Sequence, residues 1–145
     1  MSMEKKFEFL EHTADVYIVA HGKSMEEAFE NAALGMFEVM TNTVNVDPVK
    51  EERLEVEADD EYELLYNWLE ALLVKFEVEG MLYSKFKVSQ INELADRFRL
   101  KASVWGEPFN AQKHSQKVAV KAVTYHRMEI IKEQEKVTLM FILDI

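Results

Sequence analysis

Hydrophobic and polar residues alternate along this chain with two different periods, and these periods separate predicted strands from predicted helices. A period of two residues is typical of a β-strand with one buried face. It occurs in residues 7–12, 16–21, 53–58, 82–88, 98–104, 118–125, 128–132 and 137–144. In the last of these segments apolar side chains occupy both faces, which predicts a central strand that is covered on both sides.

Two other segments have the three- and four-residue spacing of a helix with one apolar face. In residues 25–40 this spacing is unbroken, and Ser24 followed by Glu27 forms a capping box at the start. A second helix is predicted to begin after Asp60, which can cap its first turn. It is predicted to end at Gly80, a residue type that favours the left-handed conformation found at helix C-termini.

Two helices and seven or eight strands predict an α+β fold in which both helices pack on one face of a largely antiparallel sheet. We expect a single domain over residues 1–145. The chain is 48% hydrophobic and 11% aromatic, enough to bury a core. No apolar run approaches the ~20 residues that span a bilayer, and the N-terminus lacks the apolar core of a secretory signal. We therefore expect a cytoplasmic protein without a membrane partner.

The charge balance restricts the class of partner. The chain has 17 Lys and Arg against 27 Asp and Glu, a net charge of −10. Because affinity for nucleic acids depends on cations that neutralise phosphates, direct binding to RNA or DNA is not expected. A basic protein or a metal cation is the more natural ligand. Eight acidic residues in 51–63 form either a docking surface or, as we favour, the solvated side of a strand and a helix N-terminus.

Several common catalytic and binding sites are excluded by what the chain lacks. It contains no cysteine, so disulfides, thiol nucleophiles and Cys-ligated metals are ruled out. Motifs of phosphate-binding loops, metalloproteases, serine hydrolases and EF-hands are also missing. The Trp-Gly-Glu-Pro segment at 105–108 is predicted to be a turn. The histidines are scattered without zinc-ligand spacing, at His12, His21, His114 and His126.

Two polar features could form a site. His12 and Asp15 lie between the first two predicted strands, in a segment that the residues alone favour as an ordinary turn. At the other terminus, the Asp144 side chain is adjacent to the terminal carboxylate of Ile145, and two such anions repel each other. If the last strand lies beside the strand starting near Asp15, three carboxylates converge, and these are ligands that calcium and magnesium prefer. Fraying of the last two residues is the alternative.

Lys121 is unusual on its predicted strand, because it shares a face with the apolar residues Ala119, Val123 and Tyr125. Its ammonium group could neutralise the carboxylates or contact a partner. It could also simply extend its apolar stem toward solvent.

Segments along nearly the whole chain resemble the archease family. The resemblance is carried, in order, by Phe-Leu-Glu-His-Thr-Ala-Asp-Val at 9–16, the helix at 28–40, Trp-Gly-Glu-Pro-Phe at 105–109, the region of His114, Lys-Ala-Val-Thr-Tyr-His at 121–126 and Leu-Asp-Ile at 143–145. One departure is visible: Arg127 and Met128 follow His126, where an uncharged apolar pair is more usual.

The resemblance implies an accessory protein rather than an enzyme. Its partner would be the catalytic subunit of the tRNA-splicing RNA ligase, whose guanylylation and multiple turnover it promotes and whose use of nucleoside triphosphates it broadens. The resemblance also implies a divalent cation, usually calcium, bound by Asp15, Asp144 and Ile145. Lys121 is then the motif lysine, and His12 supports the site or contacts the partner. This implication favours a metal ligand over an ordinary turn residue at Asp15.

Two other functions compete with this interpretation. The first is a chaperone-like interaction module for RNA-modifying enzymes such as a tRNA methyltransferase, for which the acidic surface would matter most. The second is a small metal-dependent hydrolase that uses His12 and Asp15 as acid and base. The hydrolase is disfavoured because neither a nucleophile nor a set of histidines accompanies these two residues.

Overall fold

The structure, a computed structural model, describes residues 5–10 and 15–145, so His12 lies outside the described residues. The helices are α1 (Met25–Met40), α2 (Glu61–Glu79) and a short 3-10 helix (Thr43–Asn45). The strands are β1 (Phe7–Leu10), β2 (Asp15–Gly22), β3 (Lys50–Ala58), β4 (Met81–Glu93), β5 (Phe98–Pro108), β6 (Ala122–Val123), β7 (Glu129–Glu133) and β8 (Lys136–Asp144). None of the helices in this part of the chain is long and apolar enough to cross a membrane.

The strands form two antiparallel sheets, which confirms the α+β class and adds a second sheet to the expected one. In the first sheet the order is β1-β2-β8-β6, and β7 also pairs with β8. In the second sheet the order is β3-β5-β4. Strand β8 is bordered on both sides, so the prediction of a central final strand is confirmed.

The helices begin and end where the sequence predicted. The Ser24 hydroxyl accepts a hydrogen bond from the Glu27 amide at 3.1 Å. The Asp60 carboxylate accepts one from the Glu63 amide at 2.8 Å. Each bond satisfies an amide that the first turn of a helix leaves without a partner. Gly80 ends α2 with a φ of 70°, the left-handed conformation that glycine adopts without steric cost.

Both helices contact both sheets, so the helices and the sheets share one core. Helix α1 packs on β2 and β8 of the first sheet and on β4 of the second, and α2 packs on β3, β5 and β6. The largest fully buried side chains include Phe29, Trp68 and Phe141. The Trp68 indole N–H donates to the Phe29 carbonyl oxygen at 2.9 Å and joins the two helices. Full burial of a side chain of this size contributes about 1.5–3 kcal/mol.

Two sequence predictions about local structure are wrong. Residues 118–125 do not form one strand, because only Ala122–Val123 pairs with β8. Residues 105–108 are not a turn but the end of β5. Gly106 makes this possible, because a Cβ atom there would lie 1.8 Å from the Leu82 carbonyl oxygen on the neighbouring strand.

Candidate functional site

The two predicted carboxylate ligands lie at one end of the first sheet. Asp15 is the first residue of β2, and it is directly opposite Asp144, the last residue of β8. Directly opposed residues of an antiparallel pair project from the same face, with Cβ atoms about 5 Å apart. Asp144 is exposed and Asp15 is partly exposed. The structure therefore brings Asp15 and Asp144 together where a solvent ion can reach them.

Two other predicted residues, Lys121 and Ile145, also lie at this end of the first sheet. The Lys121 amide donates to the Asp144 carbonyl oxygen at 2.7 Å, so its backbone is fixed beside the aspartate. Ile145 is partly buried and packs against the core, which contradicts fraying of the last residues.

The prediction that Lys121 shares a strand face with Val123 and Tyr125 is wrong. Lys121 precedes β6, and its side chain is exposed. It forms no ion pair with any residue that the structure describes. Exposed charged side chains are ordinary, so the sequence pattern no longer indicates a special role for the Lys121 side chain. The backbone bond to Asp144 remains.

The donor set at this end suits a hard cation but is partial. Carboxylate oxygens are the ligands that calcium prefers, and neither sulfur nor imidazole is needed. Within residues 5–10 and 15–145, no three His, Cys, Asp or Glu side chains are grouped to hold a metal ion. Asp15 and Asp144 supply two donors. Further donors would have to be oxygens of Ile145, residues outside the described ranges, water or a partner.

A second group of charges, which we call the Glu107 cluster, consists of Glu107, Lys113, His114 and Asp47. The Lys113 ammonium lies 2.7 Å from both the Glu107 and the Asp47 carboxylates. Together with hydrogen bonds from the Asp47 amide and from His114, Lys113 lowers the pKa of Glu107 to about 2. The same two carboxylates raise the pKa of Lys113. Lys113 therefore offsets one of the two carboxylate charges within the cluster.

His114 in this cluster is positioned for structure rather than for proton transfer. Its side chain is completely buried. The Asn110 amide donates to Nδ1 at 2.9 Å, and Nε2 lies 2.8 Å from a Glu107 oxygen. Because Nδ1 accepts a hydrogen bond, Nε2 must carry the proton and donate it to the carboxylate. Both ring nitrogens are occupied, so neither is available to act as a general base.

The Glu107 cluster anchors the irregular segment that leads to Lys121. Beyond His114, the Lys117 amide donates to the Met40 carbonyl oxygen at 3.0 Å. The Lys117 ammonium bonds the Glu38 carbonyl oxygen at 2.8 Å and its carboxylate at 2.9 Å. Because α1 has no basic residue in its own last turn, Lys117 supplies the cation that this helix end favours.

Most of the acidic run at 51–63 is paired or caps α2. Glu57 bonds Arg97 at 2.8 Å and Arg99 at 2.9 Å. Glu52 bonds the Lys75 ammonium at 2.9 Å and also the Tyr83 hydroxyl. Burial and Glu52 together raise the pKa of Tyr83 far above its ordinary value. These contacts agree with the interpretation that we favoured, a solvated strand and a helix N-terminus.

Comparisons with known proteins agree with the sequence signature. Residues 7–145 match the profile of the Archease protein family (MTH1598/TM1083). The chain belongs to the archease family. Protein archease from Sulfurisphaera tokodaii is 45% identical over 141 residues, which cover 97% of this chain and 99% of that protein. Protein archease from Methanothermobacter thermautotrophicus has the same identity and coverage.

Two solved structures show the same archease fold. The solution structure of Methanobacterium thermoautotrophicum protein 1598 has a TM-score of 0.85 and 44% identity, and it covers 97% of this chain and 99% of that one. The crystal structure of an archease from Thermotoga maritima, described as a possible chaperone, has a TM-score of 0.59. At 16% identity, with 100% of this chain and 99% of that one covered, this second match shows the fold alone.

The sequence did not reveal the Glu107 cluster. The Trp-Gly-Glu-Pro segment and His114 belong to the family signature, but the structure gives them an anchoring role. The available signal was the order Glu107, Lys113, His114, in which an acid is followed closely by two groups that can pair with it. The contribution of Asp47 could not be found in this way, because it lies 66 residues from Lys113.

Proposed function

We propose that the chain is an accessory activator of the tRNA-splicing RNA ligase. Membership of the archease family supports a chaperone-like activator role for RNA-processing enzymes. The more specific proposal is that the chain promotes guanylylation of the ligase, supports its multiple turnover and broadens its use of nucleoside triphosphates. It would do so with a divalent cation, calcium, bound by Asp15, Asp144 and Ile145.

The observation that carries this proposal is the direct opposition of Asp15 and Asp144 across β2 and β8. Like charges directly opposite each other in a sheet are destabilising. The backbone holds both residues in place, and a bound cation would offset their repulsion. Calcium, when bound, would neutralise charge and act as a template for an oxygen ligand of the partner.

The residues of this chain would then bind and orient the partner rather than react with it. The net charge of −10 favours approach to a basic surface, and electrostatic complementarity mainly speeds encounter and fixes orientation. The Lys121 amide holds the Asp144 backbone, and the Glu107 cluster anchors the segment that carries Lys121. Pairing with β2 and the hydrogen bond from the Lys121 amide thus both position the backbone of Asp144.

A ligation assay with the tRNA-splicing ligase tests the proposal. Asp15→Asn and Asp144→Asn should each abolish stimulation of multiple-turnover ligation, because each removes one anionic oxygen donor while keeping the size of the side chain. Asp96→Asn is the matched control, since Asp96 is an exposed aspartate in the loop between β4 and β5. Full stimulation by either of the first two variants would contradict the proposal.

A second candidate is a chaperone-like module for an RNA-modifying enzyme such as a tRNA methyltransferase. It is favoured by membership of the archease family, which supports a chaperone-like role for RNA-processing enzymes. In that case the acidic surface would matter and the cation would be dispensable. Under calcium chelation, a purified tRNA methyltransferase should then be protected from thermal aggregation equally by the wild type and by Asp144→Asn. Protection that requires calcium would exclude this candidate.

A further inference from the structure

A pair of stacked tyrosines lies where β6 packs on α2. Tyr125 is two residues after β6, and Tyr66 is in the second turn of α2. Their ring centroids are 4.4 Å apart and the ring planes differ by 7°, so one ring lies flat on the other. Tyr62 lies one turn before Tyr66 on the same face of the helix. We call these three residues the tyrosine patch.

The tyrosine patch leaves aromatic surface uncovered. Tyr125 is 51% exposed and Tyr62 is 43% exposed. Among the described residues, no aromatic ring other than that of Tyr66 and no cationic group lies over the Tyr125 ring. Tyrosine is enriched at protein interfaces, because its ring is apolar while its hydroxyl can stay hydrated. A group of exposed rings therefore marks a candidate contact surface.

Three carboxylates act on the tyrosine patch, those of Glu63, Asp60 and Glu70. Burial raises the pKa of the Tyr125 hydroxyl, and these carboxylates raise it further. A side-chain hydrogen bond with Glu70 is the main cause that raises the pKa of Tyr66. Glu63 and Asp60 also accept backbone hydrogen bonds at the start of α2, which leave their charges in place. The patch is therefore both aromatic and negatively charged.

The basic residues of the adjoining segment do not compensate these charges. In the part of the chain that the structure describes, no Lys or Arg forms an ion pair with any of the three carboxylates. Lys132 is paired with Glu61 instead, at 2.6 Å. Arg127, two residues after Tyr125, is exposed and forms no ion pair with a described residue. A cation for the tyrosine patch would thus have to come from another molecule.

An arginine side chain fits this combination best. Its planar guanidinium group stacks on an aromatic ring and can donate to a carboxylate at the same time. A lysine ammonium is a compact, strongly hydrated charge without a plane to stack. Nucleic acid bases also stack on tyrosine, but the accompanying phosphates would be repelled by the three carboxylates. The charge therefore favours a basic protein over a nucleic acid.

We propose that the tyrosine patch is a docking surface for an arginine-bearing segment of a protein partner, with the guanidinium group on the Tyr125 ring and beside Glu70. Tyr125 is three residues from Ala122, which lies opposite Asp144. In extended chain this separation is about 10 Å, so one partner can cover both the patch and the carboxylate end of the first sheet. The proposal depends neither on the cation nor on the identity of the partner enzyme.

NMR titration of the full chain tests the proposal with the peptide Gly-Arg-Gly-Arg-Gly-Arg-Gly as the probe and its lysine analogue as the comparison. We expect saturable shifts of the Tyr62 and Tyr125 ring protons and upfield shifts of the arginine side-chain protons, which indicate stacking on a ring. The arginine peptide should bind about two- to five-fold more tightly than the lysine peptide, the size of one exposed cation–π contact. In Tyr125→Ala this difference should disappear. Tyr125→Phe should keep it, because the ring remains.

Charge variants separate this surface from general attraction to an acidic protein. Glu70→Gln should weaken binding of the arginine peptide more than Glu93→Gln does, since Glu93 is an exposed glutamate at the end of β4. The proposal is overturned by equal affinities of the two peptides for the wild type, by an unchanged difference in Tyr125→Ala, or by equal effects of the two glutamine variants. Ring shifts with a short oligouridylate but not with the arginine peptide would also overturn it, in favour of a nucleic acid.

Discussion

Two carboxylate clusters in this chain differ in the groups that lie beside each carboxylate. Glu107 is held by Lys113 and His114, both within 2.8 Å, and is partly buried. Asp144 instead faces Asp15 and forms no ion pair with a Lys or Arg of the described residues. The first cluster is complete within the chain and stabilises it. The second brings two aspartates together at an exposed end of the first sheet, where we propose that a cation binds.

The largest expected effect comes from disrupting the Glu107 cluster. His114→Ala removes a buried ring and leaves Glu107 and the Asn110 amide each without one hydrogen-bond partner. We expect the free energy of unfolding to fall by roughly 2–4 kcal/mol. Urea denaturation monitored by circular dichroism measures this change in the free energy of unfolding.

His126→Ala is the matched control, because His126 is exposed. Its effect should stay within about 0.5 kcal/mol. Equal stability of the two variants would mean that the Glu107 cluster does not anchor the fold.

Calcium should stabilise the chain through the other cluster alone. At a calcium concentration 100 times the dissociation constant, the stabilisation should be about 2.7 kcal/mol. Thermal melts with calcium and with a chelator measure it. Asp144→Asn should lose this shift, while Glu107→Gln should keep it. A calcium shift that Asp144→Asn keeps and Glu107→Gln loses would instead place the cation at the Glu107 cluster.

Acid should affect the Glu107 cluster in a defined direction. The pKa of Glu107 is lowered to about 2 in the folded protein, chiefly by Lys113, whereas a glutamate in an unfolded chain titrates near ~4.3. The ionised carboxylate therefore stabilises the fold above pH ~4.3, and this contribution is lost as the pH falls toward about 2.

Glu107→Gln should show this contribution directly. It should cost about 1.5–3 kcal/mol near neutral pH, because it removes charge-assisted hydrogen bonds. The difference from the wild type should shrink between pH ~4.3 and about 2 in urea denaturation series. A difference that stays constant over this range would show that the charge of Glu107 is not the cause.

The smallest expected effect is a gain in stability. Without calcium, Asp144→Asn should raise the free energy of unfolding by about 0.2–1 kcal/mol, because it relieves the repulsion from the opposed Asp15. Glu133→Gln is the matched control, since Glu133 lies opposite Lys136 and neutralising it removes an attraction. Chemical denaturation in chelator should therefore show changes of opposite sign. The same sign for both would argue against direct repulsion at Asp144.

Local features of the fold could be predicted from the sequence because they depend on near neighbours. The spacing of apolar residues and the caps at Ser24, Asp60 and Gly80 located both helices. The apolar residues on both faces of β8 indicated its central position. Asp144 was singled out by its place beside the terminal carboxylate, and the family resemblance favoured Asp15 as a second ligand; the structure shows the two residues opposed in one strand pair.

Features that depend on distant contacts could not be predicted. The strands divide into two sheets because β5 pairs with β3 and β4 rather than with β8. Alternating residues at 118–125 resembled a strand, but the Lys117 amide bonds to the end of α1 and pairing with β8 begins only at Ala122. The Glu107 cluster likewise depends on segments that meet only in the folded chain.

Calcium titration by calorimetry tests the central claim most directly, because it measures the cation site without a partner protein. The account predicts saturable binding to the wild type and to Glu107→Gln. It predicts strongly weakened binding to Asp15→Asn and to Asp144→Asn, each of which must first be shown to be folded. Undiminished calcium affinity in these two aspartate variants, or no binding to the wild type, would contradict it.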